Sequence, residues 1–157
     1  MRWKFWTKLL TGLLLLFPVL IFFTPGFHDK YFGMSKYEAD AVGSLYKINS
    51  LENQYAALHP DKGFACELAV LRPQESGTDA SDQIVGVLRG QRNGYKFAFA
   101  GCTPEANGIV THYQIFAIPV RPGGTGIRAF CTDQTGKLFY DLSGSPSECP
   151  ASRREIP

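Results

Sequence analysis

Histidine is scarce in this 157-residue chain: His28, His59 and His112 are the only three, and no two of them stand at metal-ligand spacing. His-Glu-x-x-His is missing, so the helical zinc site of a metalloprotease is excluded. Gly-x-Ser-x-Gly is missing too, which removes the strained turn that exposes a hydrolase serine. No Cys-x-x-Cys occurs, so redox-dithiol and zinc-ribbon chemistry have no framework. There is no Asn-x-Ser/Thr glycosylation acceptor. No acidic residue precedes Asp29, and no run of basic residues marks a nucleic-acid face. A nucleic-acid binder would need such a clustered basic surface to displace counterions. Gly123-Gly124-Thr125-Gly126 follows Pro122 and leads into a β-rich stretch rather than a helix, so it reads as a hairpin connection and not as a phosphate loop. Asp133 and Asp141 flank a turn, the ordinary place for surface carboxylates. The residues thus present no catalytic constellation, no metal set and no cofactor-binding motif.

What is present is unevenly distributed. Residues 1–27 hold three basic groups (Arg2, Lys4, Lys8), both tryptophans and five of the twelve phenylalanines, whereas residues 28–157 carry thirteen basic and fourteen acidic groups. The small net charge of +2 therefore describes a targeting segment joined to a near-neutral domain. With 45% apolar and 19% charged residues, the chain can build a core.

From Leu9 to Phe23 the chain is apolar except for Thr11, Gly12 and Pro18. A helix over residues 5–27 would reach roughly 34 Å, enough for a hydrocarbon core of about 30 Å. Arg2, Lys4 and Lys8 precede the run, which keeps the N-terminus cytoplasmic and sends the rest across the membrane. Trp3, Trp6, Phe27 and Tyr31 are placed as interface anchors. The expectation is a single-pass inner-membrane anchor contacting lipid through residues 5–27, with an exported domain over 28–157. The competing reading is a cleaved secretory signal with a cut near Thr24-Pro25-Gly26. Its site lacks Ala-x-Ala and would leave Phe27 at the new terminus.

Beyond the run, Ser35-Lys36-Tyr37-Glu38 has capping-box spacing. Ala41, Leu45, Ile48, Leu51, Tyr55 and Leu58 then recur at helical steps, while Glu38, Asp40, Lys47, Glu52 and Asn53 fall mostly elsewhere. This predicts an amphipathic helix from Ser35 to Leu58, ended by His59-Pro60. Phe64–Leu71 reads as a short helical turn or an extended patch, Arg72–Gln83 as an exposed polar loop, and Ile84–Leu88 as an apolar patch of undecided type. Strands are expected in Gly94–Ala100, Tyr113–Val120, Ile127–Cys131 and Leu138–Tyr140, with turn chemistry between them. Short connections imply an antiparallel meander, and the long helix is the available cover, packed through its second half. The fold class is α+β.

Cys66, Cys102, Cys131 and Cys149 all follow the apolar run, and an even count in an exported chain favours two disulfides. Three connectivities exist. The favoured one is Cys66–Cys102 with Cys131–Cys149, whose second bridge ties the Pro-rich tail back across the Gln134–Gly136 hairpin. A loop of that size is worth about 3 kcal/mol through chain entropy.

The stretch Glu38-Ala39-Asp40-Ala41-Val42-Gly43-Ser44-Leu45-Tyr46-Lys47-Ile48-Asn49-Ser50, with Gln54-Tyr55 and Gly63-Phe64, resembles the helix-to-loop region of type IV pilin-like and type II secretion pseudopilin-like proteins, especially those of the acidobacterial kind. Gly94-Tyr95-Lys96-Phe97, Gly126 to Gly136 and Tyr140-Asp141 resemble that family's strands. The resemblance implies a pilin-like fold, in which a hydrophobic N-terminal helix continues into a helix packed on an antiparallel sheet, with a C-terminal disulfide closing a loop. It also implies a non-enzymatic envelope protein whose partners are pilin-like or secretion-system proteins. The prepilin processing site is missing, since Trp6-Thr7-Lys8 precedes the apolar run, and no glutamate stands where filament subunits dock. The loops Arg72–Gln83 and Thr103–Thr111 are the candidate contact surfaces. A soluble secreted binding domain, released by signal cleavage, is the alternative.

Overall fold

The structure, a computed structural model, describes residues 35–72, 81–152 and 154–156. The expected membrane segment, with Trp3, Trp6, Phe27 and Tyr31, lies outside them, as does most of the loop expected over Arg72–Gln83. Among the described residues no helix is long and apolar enough to cross a membrane.

Helix α1 spans Lys36–Leu58. Ala41, Leu45, Ile48 and Leu51 form the buried stripe that their spacing predicts. Burying each of the larger three stabilises the fold by about 1.5–3 kcal/mol. The stripe fails at its end, where Leu58 is 76% exposed. The polar positions require a larger correction. Glu38, Ser44, Asn49 and Glu52 are buried as well, and the two glutamates, expected mostly off the apolar face, stand seven residues before and after Leu45, on that face.

A short 3-10 helix, Leu68–Leu71, follows and buries its two leucines. Helix α2, Ser81–Leu88, takes in both the end of the expected loop and the undecided apolar patch. Ile84, Val87 and Leu88 are buried at i, i+3 and i+4, which is helical spacing.

Five strands follow: β1 (Gln91–Arg92), β2 (Tyr95–Ala100), β3 (Gln114–Pro119), β4 (Ala129–Asp133) and β5 (Leu138–Asp141). They pair antiparallel in sequence order, as a meander. In β2, Tyr95 and Phe97 are buried while Lys96 and Ala98 are exposed, the alternation of a half-buried strand. Strand β1 and its hairpin went unrecognised in the sequence despite a strong signal. Asn93-Gly94 makes the two-residue turn, with φ of 43° and 77°, the left-handed pair that such a turn requires. A Cβ on Gly94 would also lie 2.6 Å from Thr125, so that position is closed to larger residues twice over.

The sheet is covered on both faces. On one, α1 lies against β3 and β4, and the main core unites Leu45, Ile48, Tyr95, Ile115 and Phe130. Contact is not confined to the second half of α1, because Glu38 in its first turn reaches the start of the β4 region. On the other face, Phe116, Cys131 and Cys149 form a second cluster under helix α3, Cys149–Ser152. Strand β3 therefore buries Ile115, Phe116 and Ala117 in succession, and its sequence shows no clean alternation. Both disulfides join the pairs that the spacing favoured, Cys66–Cys102 and Cys131–Cys149. The tail then returns to β5 through a bridge between Phe139 and Glu155.

Candidate functional site

The polar groups within the fold fall at the two ends of α1. In its first turn, Glu38 Oε1 accepts hydrogen bonds from the backbone N–H of Ile127 (2.9 Å) and of Arg128 (3.1 Å). Its Oε2 pairs with Arg128 Nη1 at 3.0 Å. A buried carboxylate is tolerated when paired and hydrogen-bonded. Arg128 also lies 5.6 Å from the centre of the Tyr140 ring. Tyr95 donates to the Arg128 carbonyl at 3.0 Å. Burial pushes the Tyr95 phenol upward, and the Glu38 charge adds to this. Gly126 leaves room for that phenol, since a Cβ there would overlap the Tyr95 hydroxyl.

Nearer the other end, Asn49 bridges two strand regions. Its Nδ2 donates to Thr132 Oγ1 at 2.7 Å, and its Oδ1 accepts from the Tyr113 hydroxyl at 2.8 Å. One turn on, Glu52 Oε2 accepts from the Ala65 N–H at 2.8 Å. Glu52 Oε1 is buried with no hydrogen-bond partner. Burial lifts the Glu52 carboxyl from 4.5 to about 7, against the lowering effect of the Ala65 N–H. The group can hold a proton near neutrality, but it is sealed from solvent.

Outside this end lies an open cleft of about 540 Å³, lined by Cys66, Glu67, Leu68, Arg72, Arg89 and Phe99 among others. Two guanidinium groups and one carboxylate face it, and Cys66 contributes a disulfide sulfur, which is neither a nucleophile nor a metal ligand while bonded. Its lining thus offers charge of both signs beside an aromatic ring. The neighbouring loop Thr103–Thr111 is a built turn. Glu105 N–H donates to the Ile109 carbonyl, Ile109 N–H to Asn107 Oδ1, and Glu105 also bonds the Thr111 hydroxyl. Val110 is buried and paired with Gly63, so only the crest at 103–108 is exposed.

Of the residues singled out in the sequence, the four cysteines come together as two bridges at separate places. His59 packs on Tyr55 with ring centres 4.4 Å apart, while His112 is exposed beside the second candidate loop. Asp133 and Asp141 each cap their own turn, through Thr135 and Ser143. The Ser143 hydroxyl holds the Asp141 carboxyl below its ordinary range. Among the described residues no group of three or more His, Cys, Asp or Glu is placed to hold a metal ion. Glu38 and Glu52 were missed as structural centres. Their signal is a spacing of seven residues, about two helical turns, on either side of the buried Leu45, which puts both on the core face of α1. No protein-family model, curated protein or solved structure matches the chain.

Proposed function

We propose that this is a non-enzymatic, pilin-like envelope protein, held by residues 5–27 as a single-pass inner-membrane anchor with its α+β domain on the far side. On this reading the domain is an interaction subunit associated with secretion or pilus machinery. The observation that carries the reading is an order along the chain, an apolar run followed by α1 and its sheet. A long helix that packs along an antiparallel meander begins at Lys36, shortly after a basic-flanked apolar run, and the C-terminal disulfide Cys131–Cys149 closes the tail on the sheet. The two disulfides support an exported location, since such bonds persist in oxidising compartments. The crest of Thr103–Thr111 and the adjacent Arg72–Arg89 cleft are the surfaces offered to protein partners.

The test is fractionation of the full chain carrying a C-terminal tag, with the N-terminus determined by mass. Retention of an intact Met1 in carbonate-washed membranes is the expected result. A soluble product starting near Phe27 would instead establish the second reading, a secreted disulfide-stabilised binding domain. Deleting the 103–108 crest should abolish capture of envelope proteins by the tagged chain; unchanged capture removes that loop as the contact.

A further inference from the structure

Four of the large apolar side chains exposed on the domain lie together at one end. The register that sets Ala117 opposite Phe130 and Ala129 opposite Asp141 brings Val120, Ile127 and Leu142 to neighbouring strand ends. Gly144, two residues past Leu142, packs so closely that an added Cβ would lie 2.9 Å from the Ile127 carbonyl. The first turn of α1 is at the same end, because Glu38 accepts from the Ile127 N–H. That turn adds Tyr37, and the four are between 37% and 47% exposed. Lys36 and Arg121 are exposed on the same rim. Of the rim's acids, Glu38 is paired with Arg128, Asp40 accepts from Asn93, and Asp141 accepts from Ser143.

We infer that this rim of Tyr37, Val120, Ile127 and Leu142 is a second membrane contact, which rests on the bilayer surface with Lys36 and Arg121 among the lipid headgroups. The inference depends on the anchored reading proposed above. The length of chain outside the described residues argues for lipid as the occupant. Only seven residues, His28 to Met34, separate Phe27 from Ser35. Fully extended they span at most about 25 Å, whereas α1 alone is about 34 Å long. That length keeps the start of α1 within about 25 Å of the end of the anchor, a limit that the Leu58 end, a helix length further along the chain, does not share. Exposed apolar side chains with lysine and arginine among them suit an interfacial contact. The tether supplies a high effective concentration, so each side chain need contribute little.

The test uses the full chain in vesicles of phosphatidylethanolamine and phosphatidylglycerol, with a benzophenone amino acid placed singly at Val120, Leu142 or, at the opposite end, Leu58. Non-reducing mass analysis confirms both disulfides in each protein. Several-fold more lipid adduct at positions 120 and 142 than at 58 is expected. Should one rim variant fail to form its disulfides, the other carries the comparison. Equal or absent adducts in a chain that carbonate does not extract overturn the lipid contact and leave the anchor standing. A chain released by carbonate overturns the anchor, and the rim contact falls with it.

Discussion

The two ends of α1 each bury a glutamate, and they do so by opposite means. Glu38 is met by two backbone N–H groups and a guanidinium, so its charge is compensated where it lies. Glu52 is met by one N–H and keeps an oxygen without a partner, so its carboxyl holds a proton up to about pH 7. The contrast arises because strand ends expose unpaired amides, whereas the middle of a sheet has already used them. At Ile127 and Arg128 the backbone is entering β4, and both N–H groups donate to the Glu38 carboxylate. Around Glu52, the donor that reaches the carboxylate is the N–H of Ala65, in the irregular segment before the 3-10 helix.

The largest effect should come from opening the Glu52 end. Replacing Cys66 and Cys102 together by Ser frees a 36-residue separation and should lower stability by about 4 kcal/mol in urea unfolding. A loss no larger than a surface substitution would mean that the Gly63–Val110 pairing holds this end alone. At the other end, Glu38→Ala leaves Arg128 and two amides without their acceptor, with an expected loss of about 3 kcal/mol. The same measurement on Arg128→Ala should fall close to it if the pair acts as a unit.

The third effect has the opposite sign. The folded Glu52 carboxyl titrates near 7, above its unfolded value of 4.5, so the folded state binds the extra proton. Stability should therefore fall as pH rises from about 4.5 to about 7, and the low-pH contribution is lost above that window. Glu52→Gln removes this dependence. At pH 8 it should be more stable than the natural protein, by on the order of 2 kcal/mol after allowance for solvent screening. At pH 4.5 the two should coincide; a variant less stable at every pH would show that Glu52 is ionised in the fold. The smallest effect is Tyr113→Phe, which leaves Asn49 Oδ1 without its donor and should cost about 1 kcal/mol in the same assay.

Much of the architecture was legible. The helical recurrence from Ala41 to Leu51 places α1 to within a residue at each end, because period and breaker agree there. Tyr95, Phe97 and Phe99 place β2 because one side of that strand faces water. Strand β3 was less legible, since α1 covers one face and α3 the other. Helix α2 was obscured because its apolar positions span only Ile84 to Leu88, too short a window to separate helix from strand. The site was hardly legible at all. A glutamate's type and spacing are the same whether it ends in water or against the amide of a residue 89 positions away, as Glu38 does.

Local order and its punctuation were determined by the sequence itself: one long amphipathic helix and a meander of short strands. These follow from interactions between near neighbours along the chain and from the period of the apolar residues. Only the tertiary structure decided which polar side chains go inside, which glutamate keeps its charge and where the exposed apolar groups gather. Each of those outcomes depends on distant backbone arriving with an unused hydrogen-bonding group, and no local pattern encodes that arrival.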